Sequence, residues 1–300
     1  MIYIEKLTLP SLDQDVAGAG SPAYAFQYTH KSAYPYHVLS HQGLFEVDFS
    51  DITIITGGNG TGKSTLLNII AQKLELSRPT PFNKTEYFDS YLSLCHIKKS
   101  LGAMQRSSSV SSYGRIITSD EVFDYMIDTR LKNDNIDDQR RDVIKEWKRL
   151  NEAEMPREID LENPESIHAY TYQWHAKKKS MSCPRYIREK VGFNLAENSN
   201  GENAFKFFTE AIKPNGLYLL DEPENSLEAE RQIDLNEFIA SMARYERCQF
   251  IISTHSPFLM SMLGARLYNL DVHPARVMPW TEVKTVRIYK EFFDKHADEF

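Results

Sequence analysis

Residues 57–65 read Gly57-Gly58-Asn59-Gly60-Thr61-Gly62-Lys63-Ser64-Thr65, a full G-x-x-x-x-G-K-[ST] phosphate-binding loop. The residue types carry the chemistry. Glycines at 57, 58, 60 and 62 let several backbone N–H groups converge on one cavity. Lys63 reaches β- and γ-phosphates, and the Ser64 hydroxyl is a ligand for Mg²⁺. The flanks agree with this reading. Asp51-Ile-Thr-Ile-Ile-Thr56 predicts a buried strand entering the loop, and Ser64–Lys73 predicts the helix leaving it, with its N-terminus aimed at the phosphates. The chain is therefore expected to bind a nucleoside triphosphate on an α/β scaffold.

A second stretch, Leu217-Tyr-Leu-Leu-Asp-Glu-Pro-Glu-Asn-Ser-Leu227, supplies what the loop lacks. An apolar strand delivers Asp221 and Glu222 at its C-terminal end, where open parallel sheets bind their ligands. Asp221 suits the Mg²⁺ shell, and Glu222 is placed to orient and polarise the attacking water. An acidic pair at a strand end also caps loops, but the phosphate loop favours the catalytic reading. Downstream, Gln249-Phe-Ile-Ile-Ser-Thr-His-Ser-Pro-Phe258 is another apolar strand, ending in hydroxyls and His255. His255 is expected to contact the γ-phosphate or the water held by Glu222, although a lone histidine after a strand is more often structural. Ser199 and Gly201 open an amphipathic helix. The pair reads either as an anion-binding helix tip or as an ordinary serine cap with a glycine turn, and taken alone the plain cap is the commoner case.

Composition frames these motifs. Three hundred residues, 41% hydrophobic, hold one large α/β domain or two small ones. A net charge of −7 argues against nonspecific nucleic-acid coating. Cys95, Cys183 and Cys248 are widely spaced with no C-x-x-C pair, which supports neither a disulfide framework nor a zinc site. The charge pair Glu5-Lys6 interrupts any secretory core, and no apolar run is long enough to span a bilayer, so a cytoplasmic protein is expected.

Along the chain, Met1–Leu9, Tyr24–Thr29, Gly43–Phe49 and Asp51–Thr56 suggest strands. Residues 77–115 read as loop or insertion, followed by a short helix, Glu121–Arg130, and a separate charged one, Asp137–Asn151. The latter carries a single apolar stripe through Val143, Ile144, Trp147 and Leu150 and shows no sustained heptads, which excludes a long coiled-coil arm. From Ala204 the chain alternates: Ala204–Ile212, Gly216–Leu220, Leu227–Arg244, Cys248–Ser253, Pro257–Leu263. Such alternation predicts a parallel sheet with crossover helices. A terminal helix, Val286–Phe300, either buries Ile288, Phe292 and Phe293 or, with its apolar end exposed, offers a partner surface; the sequence does not separate the two. Tyr34 and Tyr36 offer rings for an adenine or for the core. Lys177, Lys178, Lys179, Arg185, Arg188 and Lys190, interleaved with Tyr170, Tyr172, Trp174 and Tyr186, form either a solvated face or a nucleic-acid groove.

The order of these motifs resembles that of the ATP-binding-cassette ATPases. Asp-Glu-Pro-Glu-Asn-Ser-Leu resembles a Walker B motif merging into a D-loop, Thr254-His255-Ser256-Pro257 a switch histidine, and Ser199-Asn-Gly-Glu202 a degenerate signature motif. Within that superfamily the chain is most similar to small soluble bacterial predicted ATPases of AAA/ABC type and to the heads of structural-maintenance-of-chromosomes and recombination-repair proteins. The likeness covers most of residues 1–76 and 194–300. Two departures stand out. No Gln occupies a Q-loop position, so Asp120 or Glu121 in Arg115–Phe123 would take its place near the metal. The signature also carries Asn200 and Glu202 where glycine and glutamine are usual.

The resemblance implies a phosphate-loop NTPase of cassette type: a mixed sheet with a parallel core, an N-terminal antiparallel β region and a helical insertion. It implies one ATPase domain over residues 1–300, with 77–193 as a lid or partner-binding insertion. ATP and Mg²⁺ would be held by Gly57–Thr65, with Ser64, Asp221 and Asp120 around the metal and Lys63, Glu222 and His255 in the catalytic roles. Ser199 and Gly201 of a second molecule would close the γ-phosphate cage, making a homodimer or a cassette-type heterodimer. Such a dimer would drive or gate a partner protein or a nucleic-acid process; defence or repair follows from family analogy alone. The competing reading is an ATP-gated scaffold that holds an effector with little turnover. A transporter energiser fits less well because no membrane segment is present. A small-molecule kinase fits less well because of the acidic pair followed by Asn-Ser-Leu and the Thr-His pair.

Overall fold

The computed structural model describes residues 2–18, 33–100, 114–152, 168, 182–191 and 200–300. They fall into two compact units, Met1–Asp124 with Ser199–Phe300, and Tyr125–Asn198.

The first unit is built on two sheets. Strands β1 (Ile4–Thr8), β2 (Glu46–Asp48) and β4 (His96–Lys99) form an antiparallel sheet in the order β2-β1-β4. The larger sheet contains β3 (Ile52–Thr56), β5 (Gly114–Thr118), β6 (Leu217–Asp221), β7 (Gln249–Ser253), β8 (Arg266–Asn269) and β9 (Arg276–Val277), in the order β5-β6-β7-β3-β8-β9. All its pairings are parallel except β8 with β9. Strands β3 and β7 are buried at every position, and β6 at all but its last. That is the burial expected of parallel strands covered on both faces, and it explains their continuous apolar sequences. Register aligns the strand ends: Thr118 lies opposite Asp221, Asp221 and Ile55 opposite Ser253, and Thr56 opposite Asn269. One row of polar residues thus lines the C-terminal edge of the sheet.

After the short α1 (Leu12–Gly18), helix α2 (Lys63–Lys73) leaves β3 and is buried over Thr65–Ala71, so it is a core helix with almost no solvated face. The core continues through Phe88 and Tyr91 of α3 (Phe88–Leu94) into the antiparallel sheet. The buried Gln249 joins the two sheets. Its amide oxygen accepts from the N–H groups of Tyr3 (2.8 Å) and Ile4 (3.0 Å), while its nitrogen donates to the carbonyls of Ile4 (2.9 Å) and Ser50 (3.0 Å). All four of its hydrogen-bonding positions are used, which is what burying an amide requires.

Several expectations need correction. Residues 77–115 are not a plain loop, because α3 and β4 lie within them; 101–113 lie outside the described residues, as does the Tyr24–Thr29 strand. The two helices expected over 121–151 are one, α4 (Ser119–Glu152), which begins in the first unit and continues in the second. Its middle has no apolar stripe to bury, and the helix carries Asp137–Arg140, Asp138–Arg141 and Asp142–Lys145 ion pairs one turn apart. In the second unit, Lys190 of α5 (Cys183–Lys190) pairs with Glu146 at 2.8 Å and lies over the Tyr186 ring, so this member of the basic cluster is spent locally. Lys177, Lys178, Lys179, Tyr170, Tyr172 and Trp174 lie outside the described residues.

Helices α6 (Asn200–Ala211), α7 (Ala229–Tyr245), α8 (Pro257–Met260) and α9 (Lys284–Lys295) complete the first unit. The last takes the second of its two expected arrangements, with its apolar end exposed. Ile288, Phe292 and Phe293 are each more than half exposed, and Val286 is the buried residue of α9.

Candidate nucleotide site

The phosphate loop joins β3 to α2 at the centre of the large sheet, and its glycines are required by geometry. Gly62 has φ 99°, and a Cβ there would meet Val38 Cγ1 at 2.8 Å and Leu39 Cδ2 at 2.9 Å. Gly60 has φ 80° in open space, so its constraint is conformational alone. The outer turn of the loop is pinned by Asp271, whose Oδ1 accepts from Gly58 N–H at 2.6 Å.

Lys63 is only 4% exposed, and its ammonium sits inside a cup of acceptors. It donates to the Gly57 carbonyl (3.0 Å), the Gly58 carbonyl (3.3 Å) and His255 Nε2 (2.7 Å), and lies 3.3 Å from Glu222 Oε1. Nε2 of His255 is also 3.3 Å from Glu222 Oε1. A single ring nitrogen either accepts from Lys63 or donates to Glu222, so these two contacts belong to different tautomers or protonation states.

Beside this triad, Ser64 Oγ donates to Asp221 Oδ1 at 3.1 Å. Ser253 Oγ donates to the same Asp221 oxygen and accepts from Glu222 N–H at 3.1 Å, so one hydroxyl fixes both acids. Glu222 has φ 49°, a left-handed conformation that a glutamate adopts only where its surroundings impose it. Its backbone N–H also donates to the Ser253 carbonyl (3.0 Å), and Asn225 Nδ2 donates to its Oε2 (3.1 Å).

The electrostatics separate the two acids. Burial raises the pKa of Asp221 above the ordinary carboxylate range, only partly offset by Ser253, Ser64 and Lys63. Burial pushes Glu222 up too, but the Asn225 hydrogen bond, Lys63 and His255 outweigh it and hold this carboxyl below its usual value. Ser64 and Asp221 together offer one hydroxyl and one carboxylate, the small protein share of a Mg²⁺ shell otherwise filled by phosphate oxygens and water. Among the described residues no group of three or more His, Cys, Asp and Glu side chains is placed to hold a metal without them.

The structure thus brings Gly57–Thr65, Asp221, Glu222 and His255 to one edge of the sheet. Other expected residues fare differently. Ser199 lies outside the described residues, while Gly201 stands near the start of α6, where a Cβ would meet Arg231 and Glu228. Asp120 is exposed in the first turn of α4, and its charge is felt by Arg78 together with that of Asp221. Glu121 is not available as a Q-loop substitute, because it is buried and paired with Arg115. Tyr36 is a core residue, edge-on to Tyr91 at 5.0 Å and bonded through its hydroxyl to Ser90.

Sequence reasoning missed Ser253, Asn225, Asp271 and Arg78. The first two stood inside motifs already singled out, Ser253 at the end of its strand and Asn225 three residues after Glu222. Asp271 and Arg78 follow β8 and α2 with no motif to mark them. Arg78 donates to Asn68 and to the Thr80 carbonyl.

A family model described as "AAA domain, putative AbiEii toxin, Type IV TA system" matches residues 188–261, the segment holding Asp221, Glu222 and His255. No curated protein matches the chain. Among solved structures, the chain is similar to the Smc head domain from Pyrococcus furiosus bound to the C-terminal domain of ScpA, at 16% identity and a TM-score of 0.41, over 97% of this chain and 100% of that one. A structure titled as a putative metal-chelate type ABC transporter aligns at 16% identity and a TM-score of 0.37, covering 83% and 80% of the two chains. The SMC head domain from Thermotoga maritima aligns at 16% and 0.36, covering 78% and 92%. Strand order and phosphate loop make the fold that of a phosphate-loop α/β domain, and its segment 188–261 is similar to the AAA-domain model.

Proposed function

We propose that this chain is an Mg²⁺-dependent ATPase whose cycle is completed by a second cassette surface, from another copy or a relative, and that this association drives or gates a partner. The observation that carries the reading is the meeting of Lys63, Ser64, Asp221, Glu222 and His255. These residues come from three separate strand ends and lie within hydrogen-bonding or ion-pair distance of one another.

The residues divide the work by chemistry. Lys63 and the loop N–H groups bind the β- and γ-phosphates, and Ser64 with Asp221 hold Mg²⁺, which supplies charge neutralisation for the transferred phosphoryl group. Glu222 orients the attacking water. In the structure its carboxylate faces Lys63, and that neighbour is one reason its pKa is low. When Lys63 turns to phosphate oxygens, Glu222 loses this partner and becomes a better proton acceptor at the moment a base is needed. His255, free to accept or donate at Nε2, steadies the γ-phosphate or the water. Gly201 near the start of α6, with Ser199 two positions earlier in the sequence, is the surface offered to a second molecule's nucleotide.

Solution mass with and without ATP-Mg²⁺ tests the proposal. Glu222→Gln is expected to double in mass with ATP-Mg²⁺, and wild type to turn over. Doubling without any wild-type turnover would favour the scaffold reading, and no nucleotide-dependent change would remove the sandwich.

A further inference from the structure

Two residues past Glu222, the short turn Pro223–Ser226 holds a carboxylate with no part in the roles assigned so far. Glu224 Oε1 accepts from the backbone N–H of His255 at 2.6 Å and from that of Ser256 at 3.2 Å, reaching a segment 31 residues later. Its Oε2 is buried and within hydrogen-bonding geometry of no partner among the described residues. A carboxylate kept out of water with one oxygen unused is costly to place, so its retention is explained by what the other oxygen does.

That oxygen fixes the backbone at the histidine. The neighbouring polar groups already serve the turn on either side. Ser256 caps α8 by accepting from Phe258 and Leu259 N–H groups and donates to Gln232, while Thr254 Oγ1 accepts from Ser256 N–H at 2.9 Å. Among the described residues the N–H of His255 has only Glu224. We infer that Glu224 is the positioning residue of His255, tying the acidic turn after β6 to the histidine turn after β7 so that the imidazole stays within reach of Lys63 and Glu222. The inference rests on the ATPase reading for its consequence in turnover, but its structural half stands alone.

The experiment is a double-mutant cycle read alongside the His255 ring resonances. Glu224→Ala is expected to lower kcat about tenfold or more through a misplaced imidazole, with KM for ATP within about twofold. Glu224→Gln keeps an acceptor oxygen for both N–H groups and should restore most of the lost rate. Adding Glu224→Ala to His255→Ala should cost nothing further, because both remove the same contribution. By NMR, Glu224→Ala should shift the His255 Cε1–H resonance in the nucleotide-free protein, and Glu224→Gln should not. If Glu224→Ala does not fold, Glu224→Asp, one methylene short of bridging both N–H groups, takes its place. Losses that add across the cycle, or a KM that rises as much as kcat falls, would overturn the inference. An unmoved His255 resonance overturns it even if wild type proves unable to hydrolyse ATP, a result that by itself sinks only the ATPase reading.

Discussion

Glu222 shows how one side chain carries strain and charge at once. Its left-handed backbone is held by two hydrogen bonds from its N–H to Ser253, and its carboxylate by Asn225 and Lys63. Because the folded pKa is depressed, the pair's stabilisation is present above the unfolded value of about 4.3 and is lost as pH falls through the folded one. Without nucleotide, Glu222→Gln should therefore be less stable than wild type at neutral pH by about 0.5–1 kcal/mol, a figure discounted for solvent around the partly exposed carboxylate. Denaturant titrations should show this gap closing as pH drops below about 4. A gap that widens in acid would mean that Lys63 and Glu222 are not paired in the free protein. At this scale the sequence was most legible. G-x-x-x-x-G-K-[ST] and Asp-Glu each put their chemistry in consecutive residues. Asp271 and Arg78 reach the same edge only through the fold, and nothing in their neighbours marks them.

Among elements, the β3-loop-α2 unit is the least tolerant of change. Gly62→Ala would impose a side chain at φ 99° and drive it into Val38 and Leu39. A loss of about 1–3 kcal/mol is expected from the backbone alone, measurable as a lowered melting temperature, together with weaker ATP binding by calorimetry. The buried parallel strands were readable because each is a short unbroken apolar run. Helix α3 was not, since its seven residues bury just Phe88 and Tyr91, too few to establish a period. The sequence predicts two helices where α4 is one because its centre, Lys132-Asn-Asp-Asn-Ile-Asp-Asp138, has the composition of a linker, and charge pairs rather than a buried stripe accompany it through.

For the whole molecule, the periodicity of α9 predicts a helix but leaves its apolar face buried or exposed, and the structure exposes Ile288, Phe292 and Phe293. Periodicity reports that a face is apolar; what covers that face is a property of the surrounding fold. Removing residues 287–300 takes away Ile288, Phe292, Phe293 and Phe300, all exposed, and leaves the buried Val286. Unfolding free energy should fall by less than about 1 kcal/mol, with ATP affinity unchanged. A larger drop in the denaturant midpoint would show that the tail contributes to the core.

The position of β3 bears on how the protein is made. The strand that carries the phosphate loop pairs with β7 and β8, which begin at residues 249 and 266, while Gln249 also caps the first strand of the chain. At about 5–20 residues per second, a ribosome would take roughly ten to forty seconds between releasing β3 and supplying its neighbours. For that interval the nascent segment Ile52–Thr56 presents two bare edges of an apolar strand. Guarding it falls to whatever meets the emerging polypeptide, and nucleotide affinity arises only after β7 and β8 have been made.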